Sequence, residues 1–175
     1  MCWWGHSLGG AYALDFAEQF PAQVAGIALI DSMSPDQFTS VPGYASFYDA
    51  LHRVSGLLPS VARLGVGRIL GFGAPDAGGF RDDVAEIPDA LKQARALESI
   101  GGAPLIVITA AEGQQAGWAS AQDELATLST NSVHRIVPGA THTSLLDDRA
   151  DAAQSSRAIR DVVRAIRAAI PLSAG

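Results

Sequence analysis

Three side chains in this sequence have the types that acyl transfer needs. A serine stands between glycines in Gly5-His6-Ser7-Leu8-Gly9, a histidine comes late in PGATHTSLLDD as His142, and an aspartate, Asp31, ends the run VAGIALID. A serine hydroxyl is a weak nucleophile until a base takes its proton, and an imidazole base needs a carboxylate on its other nitrogen to fix the tautomer. The spacing around the serine has a steric logic of its own. At the tip of a sharp strand-to-helix turn it crowds the residues two before and two after it, and glycine at both places is expected to relieve the clash. Such a turn holds the hydroxyl over the sheet edge and aims the N–H of Leu8 at the place where an oxyanion forms.

The acid has two candidates. Asp31 ends the strand that follows the serine's helix, and Glu112 follows a later strand in VITAAEGQQ. Asp31 is the better fit because its strand delivers it to the sheet edge beside the serine, although aspartates at strand ends also cap turns. Glu112 stays as the alternative. His142 lies just past the last strand, where a loop histidine reaches that same edge. The other histidines are given no catalytic part: His6 is expected to point elsewhere in a structural role, His134 to lie within a strand and His52 in a helical insertion.

The elements that must position these groups can be read from periodicity. In LGGAYALDFAEQFP, residues Leu8, Ala11, Tyr12, Phe16 and Phe20 recur every three or four positions, predicting a helix with that face buried. The apolar runs Val24 to Ile30 and Leu105 to Thr109 and the segment SVHRIVPG read as parallel strands, AQDELATLS as a helix, and ATHTSLLDD as a loop. A last helix from about Ala150 to Ala169 should bury Ile159, Val162, Val163, Ile166 and Ile170, leaving Arg157, Arg160, Arg164 and Arg167 in water. Between Ser32 and Gly102 short helical stretches and Gly/Pro punctuation replace the strands, which predicts a helical cap insertion. The expected organisation is residues 1–31 and 103–175 as α/β core and 32–102 as cap.

Composition narrows the classes. The chain has 175 residues, of which 48% are hydrophobic, enough for an ordinary folded domain. A net charge of −6 leaves no basic footprint for nucleic acid. The single cysteine, Cys2, can form no internal disulfide and the four histidines are scattered, so no metal site is expected. No apolar run is long enough for a membrane span and no signal peptide precedes the serine turn, which gives the expectation of a soluble, cytoplasmic protein.

The segments WGHSLGGAYALDFAEQFPAQVAGIALIDSMSPDQ and GWASAQDELATLSTNSVHRIVPGATHTSLLDD resemble the nucleophile and histidine regions of the α/β-hydrolase superfamily, above all its esterase-like members with a cap. The resemblance implies an α/β fold: a partial α/β-hydrolase core, with a mostly parallel sheet flanked by helices. It also implies a serine hydrolase acting on a small-molecule acyl substrate through an acyl-enzyme, without metal or organic cofactor. Superfamily members order their triad as nucleophile, acid, histidine, and Ser7, Asp31, His142 keep that order. Most place the acid after the strand beyond the cap, where this chain has TAAEGQQ without an aspartate; a minority, some haloalkane dehalogenases among them, place it where Asp31 stands. Dehalogenases use an aspartate nucleophile, so Ser7 argues against that chemistry.

By the same resemblance, about half the sheet and the loop with the second oxyanion N–H precede the serine's strand. The chain is therefore expected to be the C-terminal part of a longer hydrolase, with MCWW as the reduced serine strand. One missing oxyanion donor is typically worth roughly a hundred- to thousand-fold in rate. The exposed sheet edge would invite self-association. Phe47, Tyr48, Leu57, Leu58, Ile69, Leu70 and Phe72 of the cap read equally as an acyl pocket or as plain packing. Two other classes compete. Gly-His-Ser-Leu-Gly-Gly lacks the G-x-G-x-x-G spacing of a dinucleotide site, and a non-catalytic binding protein of this fold would have no need of serine, aspartate and histidine together.

Overall fold

A computed structural model of the chain describes residues 1–63 and 74–173, and its side chains outside 61–77. Four strands, β1 (Cys2–His6), β2 (Gly26–Ile30), β3 (Leu105–Ala110) and β4 (Ser132–Val137), form one sheet in that order. All their pairings are parallel, with Trp4 opposite Ala28, Ala28 opposite Ile106 and Ile106 opposite Val133. GIALI and LIVITA are buried at every residue, the pattern of strands covered on both faces. β1 and β4 stand at the edges and are partly exposed.

The helices in chain order are α1 (Leu8–Gln19), α2 (Gln37–Ser40), α3 (Tyr44–Arg63), α4 (Ala74–Ala94), α5 (Trp118–Ala126), α6 (Ser144–Asp147) and α7 (Arg149–Ala168), with a 3₁₀ turn at Pro21–Gln23. α1 links β1 to β2, and α5 links β3 to β4. Side chains alternate across a strand, so neighbouring glycines report the two faces. A side chain on Gly26 would meet Val162 and Ile166 of α7, whereas Leu29 faces Gly10 of α1. On the α7 face, Ala28, Ile30, Ile106, Ile108, Leu145, Ala158 and Val162 join in one buried cluster. The fold is a parallel α/β sheet with helices on both faces, and it brings the carboxyl ends of all four strands to one edge.

The face of α1 differs from the one predicted. Ala11, Ala13, Leu14 and Ala17 are buried, while Tyr12 and Phe20 are 46% and 44% exposed. Small residues let this helix lie close on the sheet, and its aromatics stack along the flank instead, Trp3 to Phe16 at 4.2 Å and Phe16 to Phe20 at 4.9 Å between ring centres. The segment expected as a loop after β4 contains α6. In α7 the expected stripe is centred on Ala158, Val162 and Ala165; Ile159, Val163 and Ile166 are half-buried, and Ile170 beyond the helix is 49% exposed. Arg157, Arg160, Arg164 and Arg167 of α7 are exposed, as their spacing predicted.

The chain divides into two compact units, Met1–Val41 with Ala90–Gly175, and Pro42–Asp89. Residues 32–41 and 90–102 thus group with the sheet. Within the second unit Tyr48 stacks on His52, while Phe47 and Leu57 are 49% and 65% exposed. Ile69, Leu70 and Phe72 lie outside the described residues.

Candidate active site

Ser7 is the single residue between β1 and α1, with φ 54° and ψ −127°. That left-handed conformation is strained for any residue with a Cβ and puts the side chain at the tip of the turn. The turn is pinned to the next strand: the Ser7 N–H donates to the Ile30 carbonyl at 3.3 Å, and the Ser7 carbonyl accepts from the Met33 N–H at 3.1 Å. A Cβ on Gly5 would overlap the Gly9 backbone, so Gly5 is required. The second requirement falls elsewhere than predicted. A Cβ on Gly9 would meet nothing within 4 Å, whereas one on Gly10 would collide with the Ser32 hydroxyl. Gly10 is needed because the turn after β2 presses against α1. Leu8 opens α1, so its N–H is one of the helix's unpaired N-terminal donors.

Asp31 follows β2 directly and is fully buried, with φ 44°. Four donors surround its carboxylate. Oδ1 accepts from the Ala110 N–H at 3.2 Å and the Trp118 indole at 2.9 Å; Oδ2 accepts from Gln114 at 2.8 Å and from His142 Nδ1 at 2.6 Å. Burial pushes this carboxyl up, but the hydrogen bonds from His142, Trp118 and Gln114 and the charge of His142 outweigh it and hold Asp31 below the ordinary carboxylate range. The next residue is equally fixed. Ser32 Oγ is shared between the carbonyls of Ser7 and Met33, and the Ser32 carbonyl accepts from Gln122 at 2.7 Å.

His142 sits in a turn closed on itself: the Thr141 N–H donates to Ser144 Oγ at 2.8 Å and the Ser144 N–H to Thr141 Oγ1 at 3.2 Å. Ser144 Oγ is also tied to Asp151 of α7 at 2.6 Å, and Leu145 is buried in the core. With Nδ1 donating to Asp31, Nε2 of a neutral His142 carries the lone pair, the tautomer a general base requires. His6 does not point elsewhere as expected. Its ring lies against His142 at 4.2 Å between centres, and its Nε2–H donates to the His142 carbonyl at 2.9 Å. Burial lowers the His6 pKa, the hydrogen bond to His142 partly offsets this, and the charge of His142 lowers it further.

Glu112 is exposed, and its backbone N–H donates to the Ala140 carbonyl at 2.9 Å. His134 lies in β4, its Nδ1 donating to Asp123 and its Nε2 accepting from the Thr109 hydroxyl, both at 2.7 Å. Trp118, Gln114 and Gln122 were missed by sequence reasoning. The signal for Gln114 and Trp118 was the run QQAGW, in which Gly117 at φ 84° turns the chain into α5 and sets Trp118 at its first position. Among the described residues no group of three or more His, Cys, Asp or Glu gathers for a metal, and no helix is long and apolar enough to cross a membrane.

Solved structures with this arrangement of elements include human thioesterase 2 (TM-score 0.60, 14% identity, covering 94% of this chain and 73% of that one). NosK from Streptomyces actuosus aligns at TM-score 0.59 and 20% identity over 94% of this chain and 69% of its own. A thermophilic esterase from Thermogutta terrifontis aligns at TM-score 0.57 and 18% identity over 95% of this chain. The chain spans 65% of that esterase, less than two thirds of its length. No curated protein matches by sequence. The profile of the alpha/beta hydrolase family matches residues 2–154, most of the chain, and the chain belongs to that family.

Proposed function

We propose that the protein is a serine hydrolase of ester-like acyl bonds, working through Ser7, His142 and Asp31 and a covalent acyl-enzyme. The observation that carries the reading is the 2.6 Å contact between Asp31 and His142, at the sheet edge where Ser7 tips the neighbouring strand. His6 closes the arrangement, since the residue bonded to Ser7 packs its ring on His142. Support of a coarser kind comes from the family and from neighbours named as an esterase and a thioesterase.

In the proposed reaction His142 Nε2 takes the Ser7 proton as the hydroxyl oxygen attacks the acyl carbonyl. The Leu8 N–H donates to the oxyanion, and Asp31 stabilises the imidazolium without taking its proton. His142 then returns the proton to the leaving alkoxide, and water, deprotonated by the same base, releases the acid from Ser7. The substrate is a small acyl compound. The test is the intact mass of the chain after exposure to a fluorophosphonate. One adduct that is lost in Ser7→Ala supports the reading, and an unmodified chain under conditions that label a control hydrolase refutes it.

A further inference from the structure

A carboxylate that serves a histidine must hold its charge and its rotation, and a fully buried one has no water to do either. Asp31 has four lone-pair directions, and each is filled by a donor. Two of the donors come from Gln114 and Trp118, at and just before the start of α5, a helix that is itself fastened to the rest of the edge. One turn beyond Trp118, Gln122 donates to the carbonyl of Ser32, the residue after Asp31, and Asp123 bonds His134 of β4. The Trp118 ring also stands edge-on to His142, at 88° and 6.4 Å between centres.

We propose that Trp118 and Gln114 are positioning residues of this site: the indole N–H holds Oδ1 so that Oδ2 faces His142, and the Gln114 amide shares that second oxygen with the imidazole. The proposal rests on the hydrolase reading for its catalytic consequence but concerns the Asp31 to His142 geometry itself. The pair restrains the carboxylate in two ways. Rotation about the Cβ–Cγ bond would break the Trp118 and Ala110 bonds together. Competition for the carboxylate's charge keeps Asp31 a weak base, so it stabilises the imidazolium without capturing its proton.

Trp118→Phe keeps the ring in place and deletes the donor, and Gln114→Met keeps the length of a half-buried side chain and deletes the amide. The Asp31 carboxyl is followed by carbon NMR through an acid titration of the 175-residue chain. The titratable groups facing it are His142 and His6. Each variant should shift the Asp31 midpoint upward by about one pH unit, near a tenfold gain in proton affinity, because a hydrogen bond to the charged form is lost. In parallel, kcat for a small ester should fall about tenfold with KM unchanged, as expected when an interaction acts in the transition state and not in substrate binding. An unchanged Asp31 midpoint in both folded variants overturns the proposal. If Trp118→Phe melts early, Gln114→Met alone decides. A wild-type chain that fails to label at Ser7 defeats the hydrolase reading, and the titration still judges the positioning of Asp31.

Discussion

Gly9 and Gly10 stand side by side in α1, yet alanine should act on them with opposite sign. A methyl on Gly9 meets nothing within 4 Å, and replacing glycine by alanine in a helix stabilises by roughly 0.5–1 kcal/mol. For a chain of this size that raises Tm by about 1–4 °C. A methyl on Gly10 lands on the Ser32 side chain, with Leu29 Cδ2 behind it at 3.4 Å. Ser32 cannot simply swing aside, because its hydroxyl is held by the carbonyls of Ser7 and Met33 and its own carbonyl by Gln122. Overpacking of this kind costs about 1–3 kcal/mol, and a broken hydrogen bond adds about 1 kcal/mol. The sum, about 2–4 kcal/mol, lowers Tm by about 4–16 °C. Thermal unfolding of the two variants reads the contrast directly. Adding Ser32→Gly to Gly10→Ala removes the colliding atoms, so the pair should couple favourably by about 1 kcal/mol or more. A Gly10→Ala chain as stable as Gly9→Ala would refute the close approach and, with it, the claim that the serine turn is built against the Asp31 turn.

Asp31→Asn should lower kcat by about ten-thousand-fold, as for a triad acid replaced by its amide, while Glu112→Gln leaves it unchanged; steady-state kinetics giving the reverse ranking would reject Asp31 as the acid. Stability should decline on acidification in two stages. His6, whose folded-state pKa lies below its unfolded value, binds fewer protons folded than unfolded, so its contribution starts to disappear as pH falls below about 6.5; denaturant unfolding should be flatter there for His6→Gln. Asp31 is likewise depressed, so its contribution is complete above about pH 3.9 and is lost as pH falls through the folded value, a decline that Asp31→Asn should lack. Strand β1 is an edge strand with Trp4 53% exposed and Met1 66% exposed beside it, and we expect concentration-dependent self-association in sedimentation that Trp4→Lys reduces; a monomer at all concentrations would count against this.

The sequence was informative where one residue type has few physical reasons to occur. A serine two residues after a glycine at the end of a strand, followed by a helix, implies a strained turn, and Ser7 takes it with φ 54°. Strand ends were equally legible, because GIALI and LIVI are apolar runs and the polar residue that follows GIALI, Asp31, must sit at the edge. What a parallel sheet brings together at that edge could therefore be anticipated to the level of Ser7, Asp31 and His142. The choice of Asp31 over Glu112 could only be argued, since local patterns say nothing of the 111 residues that separate Asp31 from its hydrogen-bond partner His142.

The misses share one cause: each depended on a neighbour remote in the chain. A regular spacing every third or fourth residue placed Tyr12 and Phe20 on the buried face of α1, but close approach to the sheet selects alanine and leucine, leaving Tyr12 exposed and Phe20 stacked on Phe16, which in turn stacks on Trp3. The glycine requirement moved from Gly9 to Gly10 because the obstacle is Ser32, which belongs to the next turn. His6 looked incidental within its own pentapeptide, and only the return of the chain after β4 brings the His142 ring against it. The donors on Asp31 follow the same rule, since Gln114 and Trp118 arrive 83 and 87 residues later. A pentapeptide can therefore specify the backbone of the Ser7 turn, whereas the partners of the Asp31 carboxylate are remote: Ala110, Gln114, His142 and the helix that the fold lays over the strand end. In this protein that helix is α5, and its first residue, Trp118, is where the local reading and the tertiary one meet.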